Sequence, residues 1–312
     1  MNNHFILANG LVAHFANMSL TSKILLFVLG LLTIFFLAFF VRDLLKHQNN
    51  LEKDTSFAVS GVIGFVVNFF DTLGIGSFAP ATAALRFAKQ VEDRLLPGTL
   101  NVSCTIPVIF EAFLFISGVE VEPITLATLL ISATAGAYFG AGIVSKLPTK
   151  MVQLVMGCAL AVTGVIVVCQ LVGIFPSGGE EIGLTGIKLI IGIVANFILG
   201  ALMTAGIGLY APCMALVYML GMSPLVAFPI MMGSCAYLMP VASAKFVKEG
   251  AYNRKASLAV TVLGVIGVFI AYKFVSGLNL TTLKWVVVGV MAYTSISLFL
   301  AANRSKKEEA KA

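Results

Sequence analysis

The sequence contains few charged residues. Asp, Glu, Lys and Arg make up 11% of the 312 residues, whereas a soluble globular domain contains roughly 25%. Hydrophobic residues account for 59%, and the mean hydropathy is +1.01. This balance excludes a soluble globular domain and predicts one polytopic membrane unit, because about 20 apolar residues span a bilayer as a helix. The net charge of +6 does not indicate nucleic-acid binding, since basic residues of membrane proteins collect in cytoplasmic loops.

Several kinds of catalytic and cofactor site are also missing from the sequence. His4, His14 and His47 lie outside the apolar runs, with no Cys or carboxylate at ligand spacing, so no metal site is predicted. There is no phosphate-binding loop, no zinc-protease histidine motif and no Gly-x-Ser-x-Gly motif. No polar stretch is long enough for a nucleotide-binding domain, which excludes an ATP-driven pump. We therefore expect no enzymatic activity and no cofactor.

The apolar runs predict the order of the membrane segments. The first run, 21–41, is interpreted as a membrane span, because it is too long for the apolar core of a signal peptide and no Ala-x-Ala cleavage site follows. Residues 1–20 are predicted to form a short helix on the membrane surface. Two interrupted apolar segments, 57–90 and 186–220, each precede three uninterrupted spans. These spans are predicted at about 97–118, 124–145, 150–175, 224–244, 256–276 and 280–301.

The two interrupted segments resemble each other. A shift of 132 positions pairs seven identical residues within 72–83, including two glycines, a proline and a threonine. Apolar composition alone does not produce such matches at one fixed offset, so we infer an internal duplication. The predicted units are an N-terminal segment 1–54, a first repeat 55–180, a second repeat 181–302 and a polar tail 303–312.

The basic residues predict the orientation of the chain. Five segments contain 16 of the 20 Lys and Arg residues: 42–55, 86–96, 146–150, 245–256 and 303–312. The positive-inside rule assigns these segments to the cytoplasm, with the N-terminus outside, in a cell membrane. Segment 57–90 must then leave the cytoplasm and return, and segment 186–220 must do the same from outside. Each repeat is a hairpin plus three spans, so the two repeats are inverted, as in many secondary transporters that bind substrate near the midplane.

Both hairpin turns have features of an anion site. A proline stands where each second helix should begin, and a helix N-terminus presents free N–H donors with about half a positive charge. Glycine allows an oxyanion to approach the backbone closely. The alternative is that these glycines and prolines only pack or kink membrane helices. The predicted substrate-binding residues are Thr72, Gly74, Gly76, Ser77, Pro80, Thr204, Gly206, Gly208, Leu209 and Pro212.

The doubled Gly-x-Gly-x-x-x-Pro hairpin resembles the sulfite exporter TauE/SafE family of bacterial membrane transporters. The resemblance covers roughly 55–302 and leaves the first span as an addition to the usual eight-segment unit. Gly74, Gly76 and Pro80 match the family pattern, as do their counterparts in the second half. Further glycines of the pattern are replaced here by Ser77, Phe78, Leu209 and Tyr210. The resemblance implies transport of sulfite, organosulfonates or related small sulfur-containing anions.

Some polar residues stand inside the apolar segments. Asp71 and Glu111 are candidates for proton coupling, because a carboxyl group at membrane depth is costly and suggests function. A turn cap for Asp71 and an interhelical hydrogen bond for Glu111 are the structural alternatives. Four further polar residues are expected to line the substrate cavity between the two hairpins or to hydrogen-bond neighbouring helices: Asn68, Asn196, Ser103 and Ser234.

The sequence thus favours a secondary transporter that passes a small anion by alternating access, with protons as the possible coupling ion. A passive anion channel built on the same hairpins is the first alternative, and a membrane-embedded enzyme or membrane anchor is the second. The expected partners are the anionic substrate and the lipid bilayer, without nucleic acid. No oligomeric state follows from the sequence.

Overall fold

The chain folds as an all-α polytopic membrane protein, which confirms the predicted fold class. The computed structural model describes residues 20–115, 119–174, 178–274 and 280–309, and within them it has eleven α-helices and no β-strand. The helices are α1 Leu20–Lys46, α2 Phe57–Thr72, α3 Phe78–Phe87, α4 Leu96–Phe115, α5 Pro123–Val144, α6 Thr149–Leu171, α7 Gly186–Met203, α8 Tyr210–Met219, α9 Pro224–Glu249, α10 Arg254–Phe274 and α11 Leu280–Glu309.

Eight of these helices are long and apolar enough to cross a membrane: α1, α4, α5, α6, α7, α9, α10 and α11. The first span and the six uninterrupted spans of the two repeats are among them. The 18-residue α7 also reaches spanning length, although it was predicted only as a hairpin arm. The predicted surface helix at 1–20 lies outside the described residues except for Leu20, which begins α1. Helix α11 continues to Glu309 and therefore extends into the predicted polar tail at 303–312.

Both predicted helix interruptions are present. The first lies between α2 and α3 at residues 73–77, and the second lies between α7 and α8 at residues 204–209. The bounds of α3, 78 and 87, become 210 and 219 when 132 is added, which are the bounds of α8. Asp71 and Thr72, expected in the first interruption, instead belong to the last turn of α2. The helix continues through them to its C-cap, Leu73, because the next residue, Gly74, adopts a left-handed φ of +79° that ends the helix.

The helix packing has the correspondence that a duplication predicts. Helix α2 packs against α10, and α7 packs against α5. The shift of 132 residues relates α2 to α7 and α5 to α10, so each contact has a counterpart in the other half. Small residues allow these close crossings. A Cβ atom at Gly64 would overlap the backbone of Val260, and one at Gly136 would overlap the carbonyl of Phe197.

Helices α4 and α9 occupy the centre of the molecule. They are the most buried of the spanning helices, and they pack against each other. Pro107 interrupts the hydrogen bonding of α4, because proline has no N–H to donate to the carbonyl four residues earlier. The Thr261 hydroxyl donates to that carbonyl, on Ser103, at 2.9 Å. The central helix therefore keeps its irregular backbone satisfied inside the protein, as membrane depth requires.

Helix α1 packs against α9 on the outside of the bundle. The Tyr237 hydroxyl of α9 donates to the Leu25 carbonyl at 2.6 Å. At the other end of α1, the Asp43 carboxylate accepts a hydrogen bond from Arg254 Nε at 2.7 Å. Much of α1 faces outward, since only about a quarter of its apolar window is buried.

Candidate functional site

The carboxyl group of Glu111 joins the two helix interruptions. Its Oε1 lies 2.9 Å from Thr72 Oγ1, whose hydroxyl is shared between Glu111 and the Asn68 carbonyl, also at 2.9 Å, and its Oε2 accepts a hydrogen bond from the Tyr210 hydroxyl at 2.9 Å. Thr72 ends α2 in the first hairpin, and Tyr210 begins α8 in the second hairpin. Glu111 itself lies on the central helix α4 and has no solvent exposure. One buried carboxyl group is thus bonded to both hairpins at once.

Asp71 makes its contacts within the first hairpin. Its Oδ2 accepts a hydrogen bond from the Ser77 hydroxyl at 2.9 Å, and its carbonyl oxygen accepts one from the Gly74 N–H at 2.8 Å. These bonds close the turn between α2 and α3, which is the role of a turn cap. Both Asp71 and Glu111 are buried, and neither forms an ion pair with a basic residue in the described ranges. A membrane carboxyl group without a basic partner is a candidate for proton exchange.

The predicted helix starts lie at the two turns. Ser77 and Leu209 immediately precede α3 and α8, and Pro80 and Pro212 are the third residue of each helix. The first amides of both helices have no acceptor within the helix. These N–H groups are the donors that the sequence predicted for an oxyanion.

The glycines of the two turns differ in their surroundings. Gly76 has φ +89° and Gly206 has φ +95°, a left-handed region that other residues rarely adopt. A Cβ atom at Gly76 or at Gly208 would meet no atom within 4 Å, whereas one at Gly206 would press on the Met156 side chain. The backbone is therefore open at Gly76 and Gly208, and it is covered at Gly206.

A narrow crevice lies between the two hairpins. Gly74 and Ile75 of the first hairpin line it opposite Ala211 of the second. Its volume is about 10 Å³, which is room for about one water molecule. Gln170 and Lys284 also line the crevice, and Gln170 Nε2 donates to the Ala211 carbonyl at 3.2 Å. The first interruption thus faces the start of α8 across a space that is too small for an anion in this structure.

Other predicted residues make contacts away from Glu111. The Thr204 hydroxyl donates to the Ala201 carbonyl of its own turn at 2.7 Å, unlike Thr72 at the matching position. Asn196 Nδ2 donates to the Leu129 carbonyl at 2.8 Å and to Ser234 Oγ at 3.0 Å. These bonds connect α7 to α5 and α9, as expected of interhelical hydrogen bonding.

Asn68 and Ser103, the remaining predicted cavity residues, form hydrogen bonds within their own helices. Asn68 Nδ2 donates to the Gly64 carbonyl at 2.8 Å, and the Ser103 hydroxyl donates to the Leu100 carbonyl at 3.4 Å. The Oδ1 atom of Asn68 is buried and accepts no hydrogen bond from the described residues. None of these contacts reaches the Glu111 carboxyl group.

Tyr210 was not among the predicted site residues. In the resemblance to the family pattern, Tyr210 is only a bulky replacement for a glycine, and its hydroxyl has no predicted role. The repeat contains a signal that could have identified it. The counterpart of Tyr210 in the first half is Phe78, so the second hairpin has a hydroxyl at a position where the first has none.

Comparisons with known proteins gave one match. A family model described as sulfite exporter TauE/SafE matches residues 5–167, which is 163 of the 312 residues. The match includes the N-terminal helix α1 and ends within α6, so it differs at both ends from the expected extent of 55–302. The comparisons with curated proteins and with solved structures found no match.

Proposed function

The chain belongs to the sulfite exporter TauE/SafE family, and we propose that it carries a small sulfur-containing anion, such as sulfite or an organosulfonate, across the cell membrane by alternating access. The family is one of membrane transporters rather than enzymes. In this proposal the two halves are inverted repeats, the N-terminus lies outside and the C-terminus is cytoplasmic. The basic residues, concentrated at one face of the predicted topology, support that orientation.

The observation that carries the proposal is the bridge through Glu111. Its two carboxyl oxygens accept from Thr72 in one hairpin and from Tyr210 in the other. While Glu111 is ionised, both hydroxyls donate to its carboxylate, and its charge repels an anion. A proton on Glu111 removes the charge and turns one of its two oxygens from an acceptor into a donor, so one of the two hydroxyls is released to donate to a substrate oxygen. Proton and anion would then occupy the site together.

The amides at the starts of α3 and α8 supply the rest of the anion site in this proposal. They are uncharged donors, so they bind an oxyanion without a basic side chain. The open backbone at Gly76 and Gly208 supports close approach of the substrate there. In this cycle the two hairpins are the gates, and Thr72 and Tyr210 are their polar side chains.

The closed crevice between the hairpins is what the occluded state of an alternating-access carrier requires. The volume of about 10 Å³ leaves no room for sulfite in this conformation. Lys284 and Gln170 at the same crevice are suited to meet an anion that enters when the crevice opens.

The test is uptake of radiolabelled sulfite into liposomes that contain the purified full chain. With one proton per anion, a gradient of one pH unit provides about 1.4 kcal/mol and drives roughly tenfold accumulation. Glu111→Gln cannot exchange the proton, so we expect sulfite exchange between equal concentrations to persist and pH-driven accumulation to disappear. The matched control is Glu120→Gln, at an exposed carboxylate, and it should accumulate sulfite like the wild type.

Two results would contradict the proposal in different ways. Full accumulation by Glu111→Gln would remove Glu111 from the proton path, and Asp71→Asn would then test the other carboxyl group. Wild-type flux that neither saturates nor responds to the pH gradient would instead indicate a passive channel. Unlabelled organosulfonate added as a competitor reports how far the site accepts related anions.

A further inference from the structure

A basic pocket lies where the end of α1 meets α9. Its volume is about 400 Å³. Three basic residues line it: Arg42 and Lys46 on α1 and Lys248 on α9. All three side chains are exposed, and within the described ranges none of them forms a hydrogen bond or an ion pair. The pocket therefore gathers three positive charges that have no partner in the described part of the chain.

The acidic residue that lines the pocket, Asp43, is already engaged. Its Oδ2 accepts hydrogen bonds from Arg254 Nε at 2.7 Å and from the Tyr252 hydroxyl at 2.6 Å. Nδ1 of His47 lies 3.3 Å from its Oδ1. The ion pair with Arg254 compensates the charge of Asp43. The charges of Arg42, Lys46 and Lys248 thus stay available to a ligand.

The other wall of the pocket is apolar and continues toward the hydrocarbon. Ala38, Phe39 and Val247 line it, and the large side chains of α1 next to it, such as Phe35 and Val41, are exposed on the outside of the bundle. Residues 42–46 end a predicted span and lie on the face that holds most of the basic residues of the chain. A ligand here meets cations at the membrane surface and apolar side chains at membrane depth.

We propose that this pocket binds the headgroup of an anionic phospholipid, whose acyl chains lie along the exposed side of α1. Basic pockets between transmembrane helices at this surface are suited to lipid phosphate. A soluble anion would use the cations and leave the apolar wall in contact with lipid, whereas a phospholipid satisfies both. The bound lipid would hold α1 against α9. This site is separate from the Glu111 bridge and does not depend on the transport proposal.

The experiment measures binding of phosphatidylglycerol and of phosphatidylcholine to the purified full chain by native mass spectrometry. We expect the wild type to prefer phosphatidylglycerol. A basic residue near an anionic lipid surface contributes about fivefold in affinity. Lys248→Gln should therefore lower the preference about fivefold, and the combined Arg42→Gln, Lys46→Gln and Lys248→Gln variant should lower it by on the order of 100-fold.

The matched control removes the same charges elsewhere. Lys53, Arg94 and Lys146 are exposed residues that do not line the pocket, and their combined replacement by Gln should preserve the lipid preference. Equal loss in both triple variants would overturn the proposal, because it would show diffuse attraction to the surface. Displacement of phosphatidylglycerol by millimolar inorganic phosphate would overturn it in favour of a soluble anion. If the triple variant fails to fold, the exposed single variant Lys248→Gln decides the question.

Discussion

The hydrogen bond from Tyr210 to Glu111 allows the bridge between the hairpins to be measured. Tyr210→Phe keeps the ring and removes the hydroxyl, so Glu111 Oε2 loses a donor at 2.9 Å. Both residues are buried, and water does not readily replace the lost donor. A hydrogen bond to a charged group contributes about 1.5–3 kcal/mol, and one between neutral groups about 0.5–1.5 kcal/mol. We expect the free energy of unfolding to fall by the larger amount when Glu111 is ionised.

The assay is a double-mutant cycle on the purified protein, with unfolding free energies from denaturant titration in detergent. Glu111→Leu removes the acceptor, so Tyr210→Phe should cost little in that background. The coupling energy between the two positions should therefore approach about 1.5–3 kcal/mol at a pH at which Glu111 is ionised. It should lie in the range for neutral groups, about 0.5–1.5 kcal/mol, at a pH at which Glu111 carries a proton. Thr72→Val, which removes the other hydroxyl, should couple to Glu111→Leu in the same way.

The control is Tyr218→Phe on the same helix, α8. Tyr218 is half-buried and makes no hydrogen bond through its hydroxyl within the described residues, so its replacement should change stability by less than about 0.5 kcal/mol. Additive effects of Tyr210→Phe and Glu111→Leu, within about 0.5 kcal/mol, would refute the bridge. A coupling energy that stays the same over the whole pH range in which Glu111 gains its proton would refute its dependence on that proton.

Two further predictions concern the backbone and the pH dependence of stability. Gly76→Ala should lower the unfolding free energy by about 1–3 kcal/mol, because φ is +89° at that position. Gly208 has an ordinary φ and open space for a Cβ atom, so Gly208→Ala should leave the unfolding free energy nearly unchanged. An equal loss of unfolding free energy in both variants would contradict the strain argument. Burial alone would raise the pKa of Glu122, but hydrogen bonds from Thr125 and from the Ile124 amide hold it below its ordinary value of 4.5. Wild type should therefore be more stable than Glu122→Gln above pH 4.5 and lose that advantage as the pH falls further, and a constant difference in denaturation midpoints would contradict this.

The sequence predicted those features that depend on short stretches of chain. The lengths of the apolar runs determine the spans, and the run of Gly74, Gly76 and Pro80 within seven residues predicts the end of one helix and the start of the next. The matched positions at an offset of 132 residues predicted a second interruption of the same form, and α8 repeats the bounds of α3. These features need no knowledge of which helices touch.

The contacts of Glu111 could not be predicted in that way. Its partners Thr72 and Tyr210 are 39 and 99 residues away in the sequence, and only the packing of α4 between the hairpins brings them together. The same reason applies to Asn196, whose bonds to Leu129 and Ser234 depend on the crossing of three helices. A Glu or an Asn in a membrane helix is compatible with both a functional and a structural role. Only the contacts of these residues in the folded chain distinguish the two roles.

The two halves have matching backbones and different chemistry at the centre. The counterpart of Asp71 is Met203, and the counterpart of Glu111 is Ser243, whose hydroxyl lies 2.9 Å from Thr105 Oγ1. A single Glu111 nevertheless contacts both hairpins, because a carboxyl group has two oxygens. In the proposed cycle, opening either hairpin breaks one of its two hydrogen bonds, so the proton occupancy of one residue biases both gates.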